Sequence, residues 1–218
     1  MRKHFFILIY LTVQLSIHAQ KNKYVDGLII TSKNDTIASL VQKRNWNKQP
    51  TEIKVKAGNK DTVVSPQAIK KLIIPSLGLE YKSRLIRPAN YVDKFQEATI
   101  SKEPEFNPPQ FSYLKLLHKG SYDLYLYLDH LNRKHFFVES TGIFIEIYSH
   151  YYLELGDSRR IYDEPVTILN KQFEFTLKGL MAACRTLSTI IENIAFVEEQ
   201  LVKVFKMYDQ CVGLKTEE

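Results

Sequence analysis

The clearest alternation of hydrophobic and polar positions runs from Phe111 to Glu139, across three short segments separated by turns. The two faces of the middle segment consist of Tyr122, Leu124, Leu126 and Leu128 on one side and Asp123, Tyr125, Tyr127 and Asp129 on the other. A period of two residues is typical of a β-strand whose faces differ in burial. The pattern predicts an antiparallel meander with a buried leucine face and a tyrosine face that is at least half exposed. Gly120, in the first turn, is expected to supply a positive φ angle.

Shorter alternating segments on both sides of the meander predict further strands. They cover residues 24–32, 36–46, 52–56, 62–64, 72–74 and 78–88 before it, and 141–147, a tyrosine-rich crossing at 148–155 and an edge strand at 161–169 after it. Turns are expected at residues 33–35, 58–61 and 156–158, where Gly, Asn and Asp tolerate turn conformations. Ser65 and Pro66 have the pattern of a short helix start. Residues 89–109 are predicted to form a long irregular connection, because the prolines near its end disfavour regular structure. One helical turn is expected near residues 91–95.

From Phe173 onward the apolar period lengthens to that of a helix. Apolar residues at 173, 177, 180, 181 and 184 form one stripe, and two further stripes follow within 187–194 and 197–208. Such stripes predict amphipathic helices packed on a core. Gly213 is placed to end the last helix.

The first nineteen residues have the pattern of an export signal peptide. Arg2 and Lys3 precede an apolar run from Phe5 to Val13, and Ala19 is the expected cleavage position. The run is shorter than the roughly 20 apolar residues that a membrane-spanning helix needs, so no integral membrane span is expected after cleavage. No cysteine follows the run for lipid attachment. The sequence therefore predicts an exported protein, periplasmic or extracellular.

The chain has two cysteines, Cys184 and Cys211, which are expected to form a disulfide because an exported protein meets an oxidising environment. A single straight helix over 187–210 would be roughly 35 Å long, whereas the Cα atoms of bridged cysteines lie within about 7 Å. We therefore predict a chain reversal near 193–196 and three short helices. Both cysteines lie on the apolar stripes and are expected to face the core. Two free thiols or a metal pair remain as the alternative.

The composition favours a folded protein with no nucleic-acid partner. The net charge of +6 falls to +4 without Arg2 and Lys3, and the basic residues are interleaved with acids. Such a distribution is typical of a solvated surface rather than of a nucleic-acid interface. The pattern indicates no oligomeric state.

Strands and helices are segregated along the chain, which predicts an α+β fold rather than a parallel α/β sheet. We expect a signal peptide at 1–19, an antiparallel β domain of hairpins and meander at 20–170, and a disulfide-linked helical segment at 171–218 that packs on the β domain.

Several segments resemble an uncharacterised family of exported proteins common in Bacteroidetes. The segments are GLIITSKNDTIASLVQKRNWNKQPTEIKV, SPQAIKKLIIP, RKHFFVE and the ending YDQC at Cys211, together with the signal peptide. The family usually has Gly-Asp-Thr in the first turn and a glycine soon after, where this chain has Asn34 before Asp35 and Ser39 in the later place. The family has no assigned activity. The resemblance therefore implies envelope localisation and a two-part layout, and no functional residue.

The motifs of common catalytic chemistries are missing from the sequence. None of Ser121, Ser140 and Ser158 lies in the Gly-x-Ser-x-Gly elbow of a hydrolase, and the chain has no phosphate-binding glycine loop, so no cofactor is expected. His130 and His135 bracket a turn and could bind a metal, but such a pair more often faces solvent. A pair of acids for sugar cleavage could be drawn from Glu97, Glu103, Glu105 and Asp123. Acids are common in any chain, so their presence is weak evidence for this chemistry.

Tyrosines give the one candidate binding surface. Tyr125 and Tyr127 lie on the polar face of the central strand and Tyr113 on its neighbour, where they could bind a glycan, a peptide or an envelope protein. The alternative, which we favour, is that the C-terminal helices or the connection at 89–110 cover this face and make it a second core.

The sequence therefore favours a non-catalytic binding or accessory protein of the cell envelope. An envelope hydrolase with unidentified catalytic residues is the second interpretation. A small-ligand carrier is the third, and it would need a cavity on the face formed by Leu124–Leu128. A deep pocket with convergent polar groups would favour an enzyme, and a shallow aromatic or edge-strand surface a binding module.

Overall fold

The structure, a computed structural model, describes residues 23–57, 60–155 and 165–213. The predicted signal peptide lies outside these residues, as do part of the turn predicted at 58–61, all of the turn predicted at 156–158 and the start of the strand predicted at 161–169.

The strands are numbered in chain order. They are β1 (Tyr24–Thr31), β2 (Thr36–Gln42), β3 (Ile53–Ala57), β4 (Lys60–Val64), β5 (Ile69–Ile74), β6 (Leu79–Ile86), β7 (Ala89–Asn90), β8 (Glu105–Phe106), β9 (Gln110–His118), β10 (Asp123–Leu128), β11 (Lys134–Ser140), β12 (Ile143–Ile147), β13 (His150–Glu154) and β14 (Val166–Asn170). The helices are α1 (Gln172–Leu180), α2 (Leu187–Glu192) and α3 (Glu198–Cys211). Antiparallel strands followed by short helices confirm the predicted α+β class.

The chain forms two compact units. The first contains the residues up to Arg84 together with Phe111–Tyr113, and the second contains Leu85–Gln110 and the residues from Leu114 onward. The boundary expected at residue 170 marks instead the change from strands to helices.

The first unit is an antiparallel sheet in the order β6-β5-β1-β2-β3-β4. The hairpin of β1 and β2 turns at Asn34, whose φ of 72° confirms the turn expected there. One face of the sheet buries a cluster that contains Ile29, Val41, Ile53, Val55, Ile69, Leu72, Ile74, Tyr81 and Tyr113. The helix start at Ser65 and Pro66 is a single 3₁₀ turn, Pro66–Ala68.

The second unit contains the meander, with strand order β12-β11-β10-β9 and antiparallel pairing throughout. The tyrosine-rich crossing predicted after the meander is strand β13, which pairs with β14 as a separate hairpin. A further short pair, β7 with β8, closes the connection that leads into the meander. The helical turn expected near residues 91–95 is displaced: residues 91–94 are not helical, and a 3₁₀ turn follows at Phe95–Glu97.

The C-terminal segment folds as three short helices with a break between Glu192 and Glu198. This confirms the predicted reversal. Cys184 and Cys211 form the disulfide, with their Cα atoms 6.1 Å apart, and Gly213 follows the last helix with a φ of 79°. Cys184 is buried, but Cys211 is exposed, so the expectation that both cysteines face the core is wrong for the second.

The helices pack on the leucine face of the meander. Side chains from both share one buried cluster that includes Leu124, Leu126, Phe136, Val138, Ile147, Phe173, Leu177, Leu187, Ile191, Leu201, Val204 and Phe205. The predicted burial of the leucine face is therefore confirmed. The space that a small-ligand carrier would need on this face is filled by helix side chains.

The tyrosine face of the meander is also covered. Tyr125 and Tyr127 retain 2% and 8% of their surface, in a cluster with Ile86, Leu114 and Phe137. The expectation of a half-exposed face is wrong, because neighbouring aromatic and aliphatic side chains close over it. In the part of the chain that the structure describes, no helix is long and apolar enough to cross a membrane.

Candidate functional site

An open cavity of about 740 Å³ lies in the second unit, beneath the connection that precedes the meander. Its walls come from residues 90–105, from the turn at 131–133 and from His150. The volume lies within the range of small-molecule sites, about 300 to 1,000 Å³. The cavity is therefore the candidate site of this unit.

The connection is an ordered loop whose ends are joined. Strands β7 and β8 pair at its base, and the Asn107 N–H donates to the Pro88 carbonyl at 2.9 Å. A long loop that closes on itself in this way is more often functional than a plain linker. From here on, "cavity loop" means residues 89–107.

His150 ties the two arms of the cavity loop together. Its Nδ1 accepts the Val92 N–H at 2.9 Å, and its Nε2 donates to the Ser101 carbonyl at 2.9 Å. Both ring nitrogens are thus committed to backbone groups, which requires the Nε2–H tautomer. The buried imidazole is a cross-link of the loop and has no nitrogen left for catalysis.

Strand β13 holds the loop from the side. The Tyr151 N–H donates to the Val92 carbonyl at 2.9 Å, and the Leu153 N–H to the Thr99 carbonyl at 2.6 Å. The Tyr148 hydroxyl donates to Glu103. These bonds fix the backbone of the loop over the cavity, so the site is largely preformed.

A buried ionic network anchors the first arm of the loop. Arg133 lies at its centre: its Nε donates to Asp129 Oδ2 at 2.7 Å, and its two terminal nitrogens donate to the Tyr91 carbonyl and to Asn90 Oδ1 at 3.0 Å each. Buried charges that are paired and hydrogen-bonded in this way hold a backbone in one geometry.

His135 and Glu146 complete the network. The His135 Nδ1 donates to Glu146 Oε1 at 2.7 Å, and the other Glu146 oxygen accepts the Ala89 N–H at 2.8 Å. The second His135 nitrogen lies 3.4 Å from Asp129 Oδ2. The imidazole is fully buried between two carboxylates and does not line the cavity.

The network shifts two pKa values. Burial would raise the pKa of Asp129, but hydrogen bonds from Arg133 and His135 outweigh it and hold that pKa below its usual value. Burial, reinforced by the negative charge of Glu146, raises the pKa of Tyr91. Tyr91 therefore stays neutral at physiological pH and cannot act as a base.

The cavity wall is acidic. Its charged residues are the four acids Asp93, Glu97, Glu103 and Glu105 and the two bases Lys94 and Arg133. Both bases are paired, Lys94 with Glu97 at 2.9 Å and Arg133 with Asp129 at 2.7 Å. Among the described residues, Asp93 and Glu105 make no hydrogen bond or ion pair through their carboxylates. The wall thus carries excess negative charge in a protein that is basic as a whole.

Apolar side chains also line the cavity beside the acids. They are Val92, Pro104 and Leu131, of which Leu131 is 60% exposed. The cavity loop carries three further exposed apolar side chains, Phe95, Ile100 and Phe106, which do not line the cavity. The site therefore combines negative charge with apolar contact area from Val92, Pro104 and Leu131.

A second buried pair lies away from the cavity. The His118 Nε2 donates to Asp209 Oδ2 at 2.6 Å, and the other Asp209 oxygen accepts the Ser121 N–H at 2.9 Å. This pair joins α3 to the first turn of the meander. Gly120 does not have the positive φ expected of it; a Cβ on Gly120 would lie only 1.9 Å from Asp209 Oδ2, so the glycine is needed for space.

The structure places the candidate binding tyrosines in the interior. Tyr113, Tyr125 and Tyr127 are all buried and form no exposed surface. Tyr113 belongs to the core of the first unit, and Tyr125 and Tyr127 belong to a separate core in the second unit. Of the acids considered for sugar cleavage, Glu97, Glu103 and Glu105 come together on the cavity wall, whereas Asp123 does not and accepts the Gly120 N–H.

The remaining candidate groups are dispersed. His130 is exposed and His135 buried, and the described residues contain no group of three or more His, Cys, Asp or Glu that could hold a metal. Ser140 donates to the Ser121 carbonyl, and Ser158 lies outside the described residues.

Sequence reasoning missed Asp93, Arg133 and His150 as parts of one site. The available signal was the length of the connection at 89–109, since long ordered loops in compact domains are usually functional. Comparisons of the chain with protein-family models, with curated proteins and with solved structures find no match.

Proposed function

We propose that this protein is an exported, non-catalytic binding protein of the cell envelope, and that the acidic cavity of its second unit is the ligand site. The observation that carries the proposal is the cavity itself. It is preformed and open, with acidic walls and the exposed side chain of Leu131, and its one histidine has both nitrogens bonded to backbone.

Export is supported by the disulfide. Disulfides persist in oxidising compartments and are rare in the cytosol. Cys211 is exposed, so reductants could reach the bond in a reducing compartment. The basic and apolar start of the sequence, and the resemblance to exported proteins of Bacteroidetes, agree with the same location.

An envelope hydrolase is the second candidate, because Glu97, Glu103 and Glu105 share the cavity wall. Glu97 pairs with Lys94, and Glu103 accepts the Tyr148 hydroxyl and the Asn170 amide. Two of the three acids are thus held by structural partners. Binding is favoured because a catalytic pair needs two carboxyl groups that can both reach the substrate, and among the described residues only the Glu105 carboxylate of the three is free of a hydrogen-bond partner.

Retention of envelope components tests the proposal. The mature chain, immobilised, should retain a species from an envelope extract, and D93N/E105Q should retain much less of it because two carboxylates without partners are neutralised. The matched control is D26N/E199Q, which removes the same charge from exposed acids outside the cavity wall. Equal retention by all three proteins, or by none, would contradict the proposal.

A further inference from the structure

We infer that the cavity binds a basic peptide segment of a partner protein, one in which lysine or arginine side chains stand beside apolar ones. This inference rests on the proposed function and deepens it, since it names the class of ligand that the cavity takes.

The negative charge of the cavity wall is the first argument for a basic ligand. Lys94 is neutralised by Glu97 and Arg133 by Asp129, so neither base is left to attract an anion. Asp93 and Glu105 make no ion pair with any described residue, and Glu103 accepts only from the neutral donors Tyr148 and Asn170. Among the described residues, these three carboxylates therefore have no ion-pair partner. Electrostatic complementarity selects a positively charged ligand.

A metal ion is not the cation that the cavity fits. Calcium and magnesium need several oxygen ligands converging within about 2.0–2.6 Å of one point. In the described parts of the chain no three carboxylates or histidines are close enough to hold an ion. The acids are spread along the loop at 93, 97, 103 and 105, which suits a ligand whose charges are spread out as well.

The apolar residues of the cavity lining give the second argument. Val92, Pro104 and Leu131 line the cavity beside the acids, and Leu131 is 60% exposed. An exposed apolar group in a polar cleft is typical of an interaction site. A simple sugar would leave Leu131 in water, whereas a peptide with apolar side chains would cover it.

The experiment selects short random peptides, displayed on phage, against the wild-type chain, D93N/E105Q and the control D26N/E199Q. Wild type and control should enrich peptides that combine lysine or arginine with apolar residues. The affinity of such a peptide for D93N/E105Q should be about tenfold weaker, since two partly exposed ion pairs are lost. Added salt should also weaken the binding of the peptide to wild type, because it screens the exposed ion pairs.

The outcomes separate this inference from the proposed function. Enrichment of acidic or neutral peptides would overturn the ligand class and leave a binding cavity. The ligand class would also be overturned, and the binding cavity kept, if no peptide is enriched but wild type retains an envelope species that D93N/E105Q does not. No enriched peptide and no retained species would overturn both. The melting temperature of D93N/E105Q should equal that of wild type. A loss of binding then results from the changed cavity and not from unfolding.

Discussion

Asp209 occupies a position that is unfavourable for an acid by itself. It lies in the last turn of α3, where the partial negative charge of the helix C-terminus repels a carboxylate by roughly 0.3 to 1 kcal/mol. The side chain is also almost fully buried. Its bonds from His118 and from the Ser121 N–H offset both costs. Gly120 leaves the space in which these bonds form.

We expect Gly120→Ala to destabilise the protein by about 2 to 3 kcal/mol, as overpacking of a filled interior does. The new Cβ would meet Asp209 Oδ2 at 1.9 Å and His118 Nε2 at 2.7 Å, so the His118–Asp209 bond must lengthen or break. Urea unfolding of the two proteins measures the difference.

A double-mutant cycle supplies the control. In the Asp209→Ala background, Gly120→Ala should cost much less, because the carboxylate that it displaces is gone. An equal cost in both backgrounds would show that Gly120 is needed for another reason.

Asp129 gives a prediction that depends on pH. Asp129→Asn keeps an oxygen that can accept the Leu131 and Arg133 N–H groups but removes the charge opposite the Arg133 side chain. We expect it to cost about 3 kcal/mol at neutral pH, as the removal of one partner from a buried pair does.

The sign follows from the lowered pKa of Asp129. Its stabilising contribution is present in full above the pKa of the unfolded chain, about 3.9, and is lost as the pH falls through the lower pKa of the folded protein. The gap in unfolding free energy between wild type and Asp129→Asn should therefore shrink in acid. A gap that stays constant with pH would contradict the assigned pairing.

Among the elements, the cavity loop owes its order to few contacts, and His150 makes two of them. We expect His150→Phe, which keeps the ring but loses both nitrogens, to leave the Val92 N–H and the Ser101 carbonyl without partners. Each lost bond costs about 1 to 3 kcal/mol when the group stays buried. Hydrogen exchange at the Val92 and Tyr151 amides should speed up, because both bonds cross this joint.

His130→Phe is the matched control, since it makes the same substitution at an exposed histidine of the neighbouring turn. Its exchange rates in the loop should equal those of wild type. Unchanged exchange in His150→Phe would mean that the loop is held without the cross-link.

The disulfide stabilises the helical segment. Reduction should lower the free energy of unfolding by about 3 to 4 kcal/mol, since the bridge closes a loop with a sequence separation of 27. Chemical denaturation with and without reductant measures the effect, and a variant with alanine at both cysteines should be insensitive to reductant. Equal midpoints for oxidised and reduced wild type would contradict this.

The elements were predictable where the signal is local. The two-residue period located the meander, the longer period located the helices, and the length of a straight helix set against a disulfide placed the break after Glu192. Gly120 shows where local reasoning stops. A glycine in a turn suggests a positive φ, but its real constraint is Asp209, a residue that is distant in sequence and that no turn rule includes.

In the molecule as a whole, the site depends on long-range hydrogen bonds. Val92 meets His150 across 58 positions of the sequence, and Tyr91 meets Arg133 across 42. No pattern in a single sequence encodes such pairs, so the cavity could not be predicted. The burial of Tyr125 and Tyr127 was open for the same reason, since it depends on which side chains close over that face of the sheet.

The three buried histidines among the described residues have structural roles. His118 holds α3 through Asp209, His135 lies in the network that anchors the first arm of the cavity loop, and His150 joins its two arms. Each is committed to a carboxylate or to backbone. His135 and His150 keep the preformed cavity in place, which is the arrangement that a binding protein needs, whereas His118 lies away from the cavity.

The central claim, binding without turnover, is tested most directly by the mass of the bound species. The species retained by the immobilised mature chain is eluted and incubated with fresh wild-type protein or with D93N/E105Q. Its mass is measured by mass spectrometry before and after the incubation. We expect the mass to be unchanged with both proteins, and we expect D93N/E105Q to retain much less of the species than wild type does. A species returned shorter by hydrolysis with wild type, and intact with D93N/E105Q, would contradict the claim and make the cavity an active site.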